Sequence, residues 1–197
     1  MNNQTSTNNS SLTLTQLIQS WDDFSKKVLQ LVYRLGLDKL ELNSDHCALR
    51  VNDLEHAQQL QHEFEQIGQV ISNNMINGRP ILIIELNQAL ILGSQTIDCV
   101  ELPYPSDKHY PTEGWEHIEL VLPSSATNCQ QLADELITKV PTLAAVINGE
   151  TDIKIKMSSP KGAHERLANP TIAFKENGIC VKVHLHHIKD IIASEQG

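Results

Sequence analysis

One order of elements occurs twice along the sequence. "SDHCALRVND", from Ser44 to Asp53, places a histidine in a segment that alternates like a β-strand, and "WEHIELVLPS", from Trp115 to Ser124, does the same. In both segments an acidic residue comes directly before the histidine. Repetition of this kind is a fold-level signal, because each copy specifies one supersecondary unit that stacks against the next.

Each copy continues with a helix and three strands. "LEHAQQLQHEFEQIG" and "ATNCQQLADELITKV" have apolar residues at helical spacing. The runs "RPILIIELN", "ALILGSQ" and "IDCVELPYP" follow the first helix, and "TDIKIKMSS", "PTIAFKENG" and "ICVKVHLHHI" follow the second. The sequence therefore predicts an α+β fold with two βαβββ modules, at 43–105 and 115–193, and a connector at 106–114.

The residues before the first module divide into a tail and a helical segment. Residues 1–11 are polar and have too few apolar side chains to form a core, so we expect a disordered tail. Residues 12–42 have apolar side chains at helical spacing, and Gly36 is a plausible helix end. This segment predicts one or two amphipathic helices.

Composition limits the classes of partner and the compartment. The net charge of −9 argues against a nucleic-acid-binding protein, which needs a basic surface for phosphates. We find no secretory signal and no apolar run of the roughly 20 residues that a bilayer requires. The four cysteines are scattered, which predicts reduced thiols rather than disulfides. We expect a cytoplasmic protein that does not bind membranes.

The motifs "HCALRV", "CVELP" and "HIEL", in this order of elements, resemble the vicinal oxygen chelate superfamily of glyoxalases and extradiol dioxygenases. Within it, the chain resembles the YecM family across nearly all residues after the tail. The resemblance implies that the two modules pair curved mixed sheets into a cup. It also implies a divalent metal in the cup, bound by the first and last strands of each module.

Residue by residue, the resemblance implies a metal site formed by His46, Glu101, His117 and His184. His184 lies in "KVHL", where the isomerases of the superfamily usually have glutamate. Imidazole and carboxylate ligands suit a divalent transition metal such as zinc, iron, nickel or manganese. The alternative is that each histidine is a structural residue of its strand.

Three further residues are candidates because strand alternation directs them into the cup. Arg50 could bind a substrate carboxylate as a bidentate fork, or could pair with an acid such as Glu85. Glu119 could act as a catalytic general base, or could orient a ligand imidazole. His186 could line the cavity and contact substrate, whereas alternation sends His187 away from it.

Two polar loops and one cysteine are weaker candidates. Tyr104, His109 and Tyr110 lie in or beside the connector and could form a rim over the cup, or serve only as a linker. Lys161, His164 and Arg166 could form a small cationic lip, or a solvated loop. Cys99 shares the face of Glu101 and could be a soft neighbour of the metal, or a small apolar filler.

Together with these residues, the resemblance implies a metal-dependent isomerase, lyase or dioxygenase that acts on a small oxygen-chelating substrate. The alternative is a protein of the same fold that sequesters a small molecule or a metal without turnover. A jelly roll or cupin would also place histidines on strands, but the two interposed helices argue against it. The sequence is compatible with a monomer or a homodimer.

Overall fold

The computed structural model describes residues 12–159 and 167–195, which form α-helices and β-strands in the alternating order expected of an α+β fold. The helices are α1 (Leu14–Leu35), α2 (Leu54–Glu65), α3 (Cys129–Lys139), α4 (Leu143–Ile147) and α5 (Ile188–Glu195). The strands are β1 (Asn43–Arg50), β2 (Gly68–Ile76), β3 (Arg79–Leu92), β4 (Gln95–Pro103), β5 (Gly114–Val121), β6 (Lys154–Ser158), β7 (Thr171–Glu176) and β8 (Ile179–His184).

All eight of these strands belong to one curved sheet, in the order β2-β3-β4-β1-β5-β8-β7-β6. The first module supplies one half of the sheet and the second module the other half. The halves meet where β1 and β5 pair antiparallel, and each of these strands pairs parallel with the last strand of its own module. This arrangement confirms the expected α+β fold of two βαβββ modules preceded by a helix.

Strand alternation gives the sheet an apolar outer face and a polar inner face at its centre. Cys47 and Leu49 on β1, and Ile118 and Leu120 on β5, belong to the core that the strands share with α1, α2 and α3. The residues between them on these strands therefore lie on the opposite, concave face. Helices α1, α2 and α3 cover the outer face, so a site can form on the concave face.

Helix α1 is fixed to the outer face by an aromatic cluster. A capping box between Thr13 and Gln16 begins the helix, and Gly36 ends it in the left-handed conformation, with φ of 71°. The Trp115 ring lies 4.9 Å from the Trp21 ring, and the Trp115 indole N–H donates to the Leu17 carbonyl oxygen at 2.9 Å. Because Trp115 is the second residue of β5, these contacts join the N-terminal helix to the centre of the sheet.

Two strands of the first module differ from the prediction. "RPILIIELN" and "ALILGSQ" were predicted as separate strands, but Arg79–Leu92 is one strand with an irregular register between Glu85 and Leu90. Strand β2 precedes these runs, at Gly68–Ile76, and the sequence analysis missed it. Strand β2 lies at the edge of the sheet and has mostly polar or half-exposed residues, so its apolar signal is weak.

The C-terminal segment also differs from the prediction, since "ICVKVHLHHI" does not continue as a strand beyond His184. The chain instead forms α5, which packs on the inner side of the first module, with Ile192 in a small cluster with Ile83 and Cys99. The Lys189 ammonium donates to Glu85 at 2.5 Å and to Asp98 at 2.6 Å. Helix α5 therefore occupies part of the concave face and leaves the rest open.

The state of the cysteines and the character of the helices can be described for the same residues. The four cysteines are free thiols, and Cys47, Cys99 and Cys180 are buried. None of the described helices has the length and apolar character needed to cross a membrane.

We expect Phe24→Ala to reduce the free energy of unfolding by about 3 kcal/mol, because the substitution leaves a cavity between α1 and the sheet. Phe24 is buried, with its ring 6.2 Å from that of Trp115. Tyr33→Ala on the same helix is the control, since Tyr33 is 71% exposed and should cost no more than about 0.5 kcal/mol. Equal losses in urea denaturation would contradict the assigned packing of α1.

Candidate metal centre

A cavity of about 510 Å³ opens on the concave face, between the two halves of the sheet. Six of the seven candidate residues line it: His46, Arg50, Glu101, His117, Glu119 and His184. His186 is not among the described residues that line the cavity. The cavity therefore brings together residues that are up to 138 positions apart in the chain.

The antiparallel pairing of β1 with β5 accounts for much of this convergence. His46 lies opposite Glu119, and Ala48 lies opposite His117. Glu101 on β4 is the partner of Ala48 on the other side of β1. The small side chain of Ala48 lies between Glu101 and His117 and leaves the space between them open.

A β-bulge precedes each histidine. Ser44 pairs with Leu120 and His46 with Glu119, so Asp45 is an extra residue on β1. On β5, Trp115 and His117 are paired while Glu116 between them is not. A bulge redirects the side chain of the extra residue, so each acidic residue lies beside the histidine that follows it rather than on the opposite face.

The Asp45 carboxylate orients the His46 ring. His46 Nδ1 lies 2.9 Å from Asp45 Oδ2, and an ionised carboxylate only accepts, so Nδ1 donates. His46 Nε2 is buried and has no hydrogen-bond partner. Burial lowers the pKa of His46, but the charges of Glu119, Asp45 and Glu101 outweigh burial and raise it to about 9. The environment of Nε2 therefore favours a cation, which can be a proton or a metal ion.

His117 has a carboxylate at each ring nitrogen. Nδ1 contacts Glu116 Oε2, and Nε2 lies 3.0 Å from Glu119 Oε1. A neutral imidazole has one N–H and can satisfy one of these acceptors. A second proton or a metal ion is needed between His117 Nε2 and Glu119.

Glu119 lies at the centre of the cluster. Its Oε1 is 2.7 Å from Lys182 Nζ and 3.7 Å from His46 Nε2, and its Oε2 is 3.3 Å from His184 Nδ1. Burial raises the pKa of Glu119, but the charges of Lys182, His46 and His184 outweigh burial and hold it well below its usual range. Glu119 is therefore a stable carboxylate and a weak base.

The ligand atoms of His46, His117 and Glu119 all lie within 4.8 Å of one another. Glu101 Oε2 is 3.8 Å from His46 Nε2, on the open side of the group. Two ligand atoms on one zinc ion lie about 3–4 Å apart when the bonds are about 2.0–2.2 Å. The distances among His46, His117 and Glu119 are therefore close to those of ligands on one ion, and Glu101 lies beside this group.

The strand register corrects one prediction about the fourth ligand. The motifs in the sequence predict that Glu101 and His184 occupy equivalent positions in the closing strands of the two modules. Cys99 pairs with His46 and Cys180 pairs with His117, so two residues further on each strand Glu101 corresponds to Lys182. The second module therefore has an ammonium group where the first has a carboxylate.

His184 is buried in the cluster but contacts protein groups at both ring nitrogens. Its Nε2 lies 3.1 Å from Asp45 Oδ2, without the geometry of a hydrogen bond, and its Nδ1 lies 3.1 Å from Asn169 Nδ2. Asn169 also accepts the backbone N–H of Leu185. His184 therefore forms a second possible ligand group with Asp45 and His46, and whether it binds metal stays a prediction.

Arg50 lies in the cavity wall and pairs with an acid other than the one considered from sequence. Its guanidinium donates to Glu116 Oε1 and lies 4.4 Å above the Tyr110 ring, whereas Glu85 pairs with Lys189. The charge of His117, with those of Arg50 and Lys182, outweighs the effect of burial and lowers the pKa of Glu116 to about 2. Substrate binding by Arg50 stays a prediction.

His186 and His187 follow the end of β8, so strand alternation no longer determines their directions. His187 Nδ1 lies 2.6 Å from Asp45 Oδ1, although the sequence analysis directed His187 away from the site. Substrate binding by His186 stays a prediction. Lys161, His164 and Arg166 lie outside the described residues.

Asp45, Glu116 and Lys182 are the site residues whose roles the sequence analysis missed. The repeated acidic residue before each histidine was a usable signal, but alternation in a regular strand would place it on the opposite face. The bulges that reverse this direction have no clear signature in the sequence. Alternation puts Lys182 on the same face as His184, but its contact with Glu119 depends on the parallel register of β5 and β8.

We expect Lys182→Met to destabilise the metal-free protein by about 3 kcal/mol, because it leaves the buried Glu119 carboxylate without its cation. Glu119→Gln in the same chain should recover part of this loss, since it removes the unpaired charge. Lys175→Met is the control, because the Lys175 ammonium is half-exposed and 4.0 Å from Glu116. Additive losses in urea denaturation of the double variant would contradict the assigned ion pair.

Comparison with known proteins identifies the family. The chain matches the family described as "YecM protein" over residues 13–195. It is 39% identical to protein YecM of Escherichia coli K12 over 183 residues, which are 93% of this chain and 90% of that protein. It is 36% identical to an uncharacterized protein of Haemophilus influenzae over 181 residues, which cover 89% of this chain and 92% of the relative.

A solved structure described as "Structural Genomics, Protein EC4020" is 35% identical, with a TM-score of 0.78 and coverage of 93% of each chain. The chain belongs to the YecM family.

Proposed function

We propose that the protein binds one divalent transition-metal ion through His46, His117, Glu101 and Glu119. The observation that carries this proposal is the buried His46 Nε2, which has no hydrogen-bond partner and lies 3.7 Å and 3.8 Å from the Glu119 and Glu101 carboxylates. Its Nδ1 is held by Asp45, which is the arrangement that directs a ligand imidazole toward a metal.

The charges of the cluster support a divalent ion. Four carboxylates line or support the site, at Asp45, Glu101, Glu116 and Glu119, and two basic side chains, Lys182 and Arg50, contact them. With neutral histidines the group has two more negative than positive charges, which a divalent cation neutralises. Two imidazoles with carboxylates suit zinc, iron, nickel or manganese better than magnesium or calcium.

The proposed function is that of a metal-dependent isomerase or lyase, or an oxygenase, for a small substrate that chelates through neighbouring oxygens. A bound ion of this kind supplies a Lewis acid that polarises substrate oxygens. The reaction class comes from the resemblance to the vicinal oxygen chelate superfamily, and the open cavity beside Glu101 gives a small substrate access.

The neighbouring residues have separate tasks in this proposal. Glu119 is a ligand rather than a general base, because Lys182 holds its pKa low. Lys182 lies 2.7 Å from Glu119 in the cavity wall, so its ammonium can also stabilise negative charge on a substrate oxygen. Asp45 and Glu116 fix the two imidazole rings, and Arg50 holds Glu116.

A second candidate function is ligand sequestration without turnover. The observation that favours it is the contact of Lys182 with Glu119. Lys182 occupies the position that corresponds to Glu101 of the first module, and its ammonium neutralises Glu119 without a metal ion. A site of this kind binds a small molecule without a metal ion. Titration with metal ions separates the two candidates.

We expect chelator-treated protein to bind one equivalent of zinc, iron(II), nickel or manganese in calorimetry and elemental analysis. His46→Gln and His117→Gln should each weaken metal binding at least about 100-fold. Each substitution removes a direct metal ligand, and even the loss of a residue that only supports a ligand weakens binding about 10–100-fold. His62→Gln is the control, since His62 lies exposed on α2. Retention of full affinity by both site variants, or no binding of any of the four metals to the wild type, would exclude the proposed centre.

We expect Glu119→Gln to weaken metal binding more than His184→Gln, by about tenfold or more. The physical reason is that Glu119 faces both His46 Nε2 and His117 Nε2, whereas His184 contacts Asp45 and Asn169. Metal content after gel filtration is the measurement, and circular dichroism checks that both variants fold. A larger loss in His184→Gln would restore His184 as the fourth ligand.

A further inference from the structure

The cavity is strongly basic on the side of the second module, although the chain as a whole is acidic. The chain has 15 lysines and arginines and a net charge of −9. Seven of these basic residues line the one cavity. Four of them, Lys154, Lys156, Lys175 and Lys182, come from β6, β7 and β8 and are termed the lysine face.

The strand register places these four lysines side by side. Lys154 on β6 lies opposite Lys175 on β7. Lys156 lies opposite Ala173, which in turn lies opposite Lys182 on β8. Ala173 is itself part of the cavity wall, so its small side chain leaves a depression between two ammonium groups. The result is a concave cationic surface rather than scattered charges.

The lysine face carries an unfavourable contact within the protein. Like charges directly opposite each other on neighbouring strands destabilise a sheet, and Lys154 and Lys175 are such a pair. Lys182 and Lys175 contact Glu119 and Glu116, but Lys154 and Lys156 have no ion pair among the described residues. A bound anion would relieve the repulsion and supply the missing partner.

Protection of an exposed sheet edge does not account for this arrangement. Lysines on an edge strand do discourage pairing with other chains, and β6 is at the edge of the sheet. Lys175 and Lys182, however, lie on interior strands, β7 and β8. The basic surface continues inward to the proposed metal centre rather than following the edge.

The position of the lysine face relative to the metal centre defines the shape of the ligand. Lys182 is on the strand next to Glu119, and β6 is two strands further out. Neighbouring strands lie about 4.8 Å apart, so the lysine face extends to roughly 14 Å from β5. A ligand that contacts both the proposed metal centre and the lysine face has an oxygen-bearing end at the metal centre and an anionic end over β6–β8.

We propose that the ligand of this cavity is an organic anion whose phosphate or carboxylate group is bound by Lys154, Lys156, Lys175 and Lys182. This inference rests on the proposed function for the chelating end of the ligand, while the lysine face itself binds anions without the metal. The net charge of −9 does not attract anions to the protein as a whole, so the clustered lysines have to supply the attraction.

The test is a calorimetric titration of metal-free protein with inorganic pyrophosphate at low ionic strength. We expect saturable binding to the wild type and a loss of about tenfold or more in the double variant Lys154→Gln/Lys156→Gln, because each lysine contributes a charge-assisted contact. The matched control is Lys26→Gln/Lys27→Gln, which removes two exposed lysines from α1 and should leave affinity unchanged.

A parallel zinc titration keeps the two proposals separate. The β6 double variant should bind zinc like the wild type, because neither lysine contacts the metal ligands. If pyrophosphate does not bind to the wild type, or binds equally to the wild type and to Lys154→Gln/Lys156→Gln, the proposal that the lysine face binds anions is wrong. If pyrophosphate binds but zinc does not, the proposed metal centre is wrong and the proposal that the lysine face binds anions is supported.

Discussion

The site depends on the two β-bulges at the junction of β1 and β5. Without them, Asp45 and Glu116 would point to the apolar outer face, where a charged carboxylate is costly. With them, each carboxylate reaches the Nδ1 atom of the next histidine, and both Nε2 atoms are directed into one cavity. The two bulges therefore keep both carboxylates out of the apolar core and orient two buried imidazole rings.

The sequence predicted the scaffold better than the contacts. Two βαβββ modules and the N-terminal helix follow from periodicity and from the repeated order of elements. The convergence of His46, His117 and Glu101 was implied by the resemblance to the vicinal oxygen chelate superfamily. The edge strand β2 was missed because a half-exposed strand has little hydrophobic signal. The end of β8 was misplaced because the apolar alternation of "ICVKVHLHHI" continues past the last strand residue into the loop before α5.

The fourth position of the site shows why motif matching is limited. The motif "KVHL" aligns His184 with the glutamate of the superfamily's isomerases. The hydrogen-bonded register of the strands, however, makes Lys182 the residue that corresponds to Glu101. The halves of the cup share a backbone plan and differ in charge at this position: a carboxylate faces the cavity from one module and an ammonium from the other. The two modules therefore have the same strand arrangement but opposite charges at this one pair of positions, Glu101 and Lys182.

The contact between Asp45 and the start of α5 has a consequence for biosynthesis. The backbone N–H of Ile188 donates to Asp45 Oδ1 at 3.0 Å across 143 residues of chain. During translation β1 emerges early, whereas a domain folds as a unit once its segments have been made. The Asp45 carboxylate gains this partner only after Ile188 has been synthesised, so the pocket behind His46 cannot be complete before the whole second module has been made.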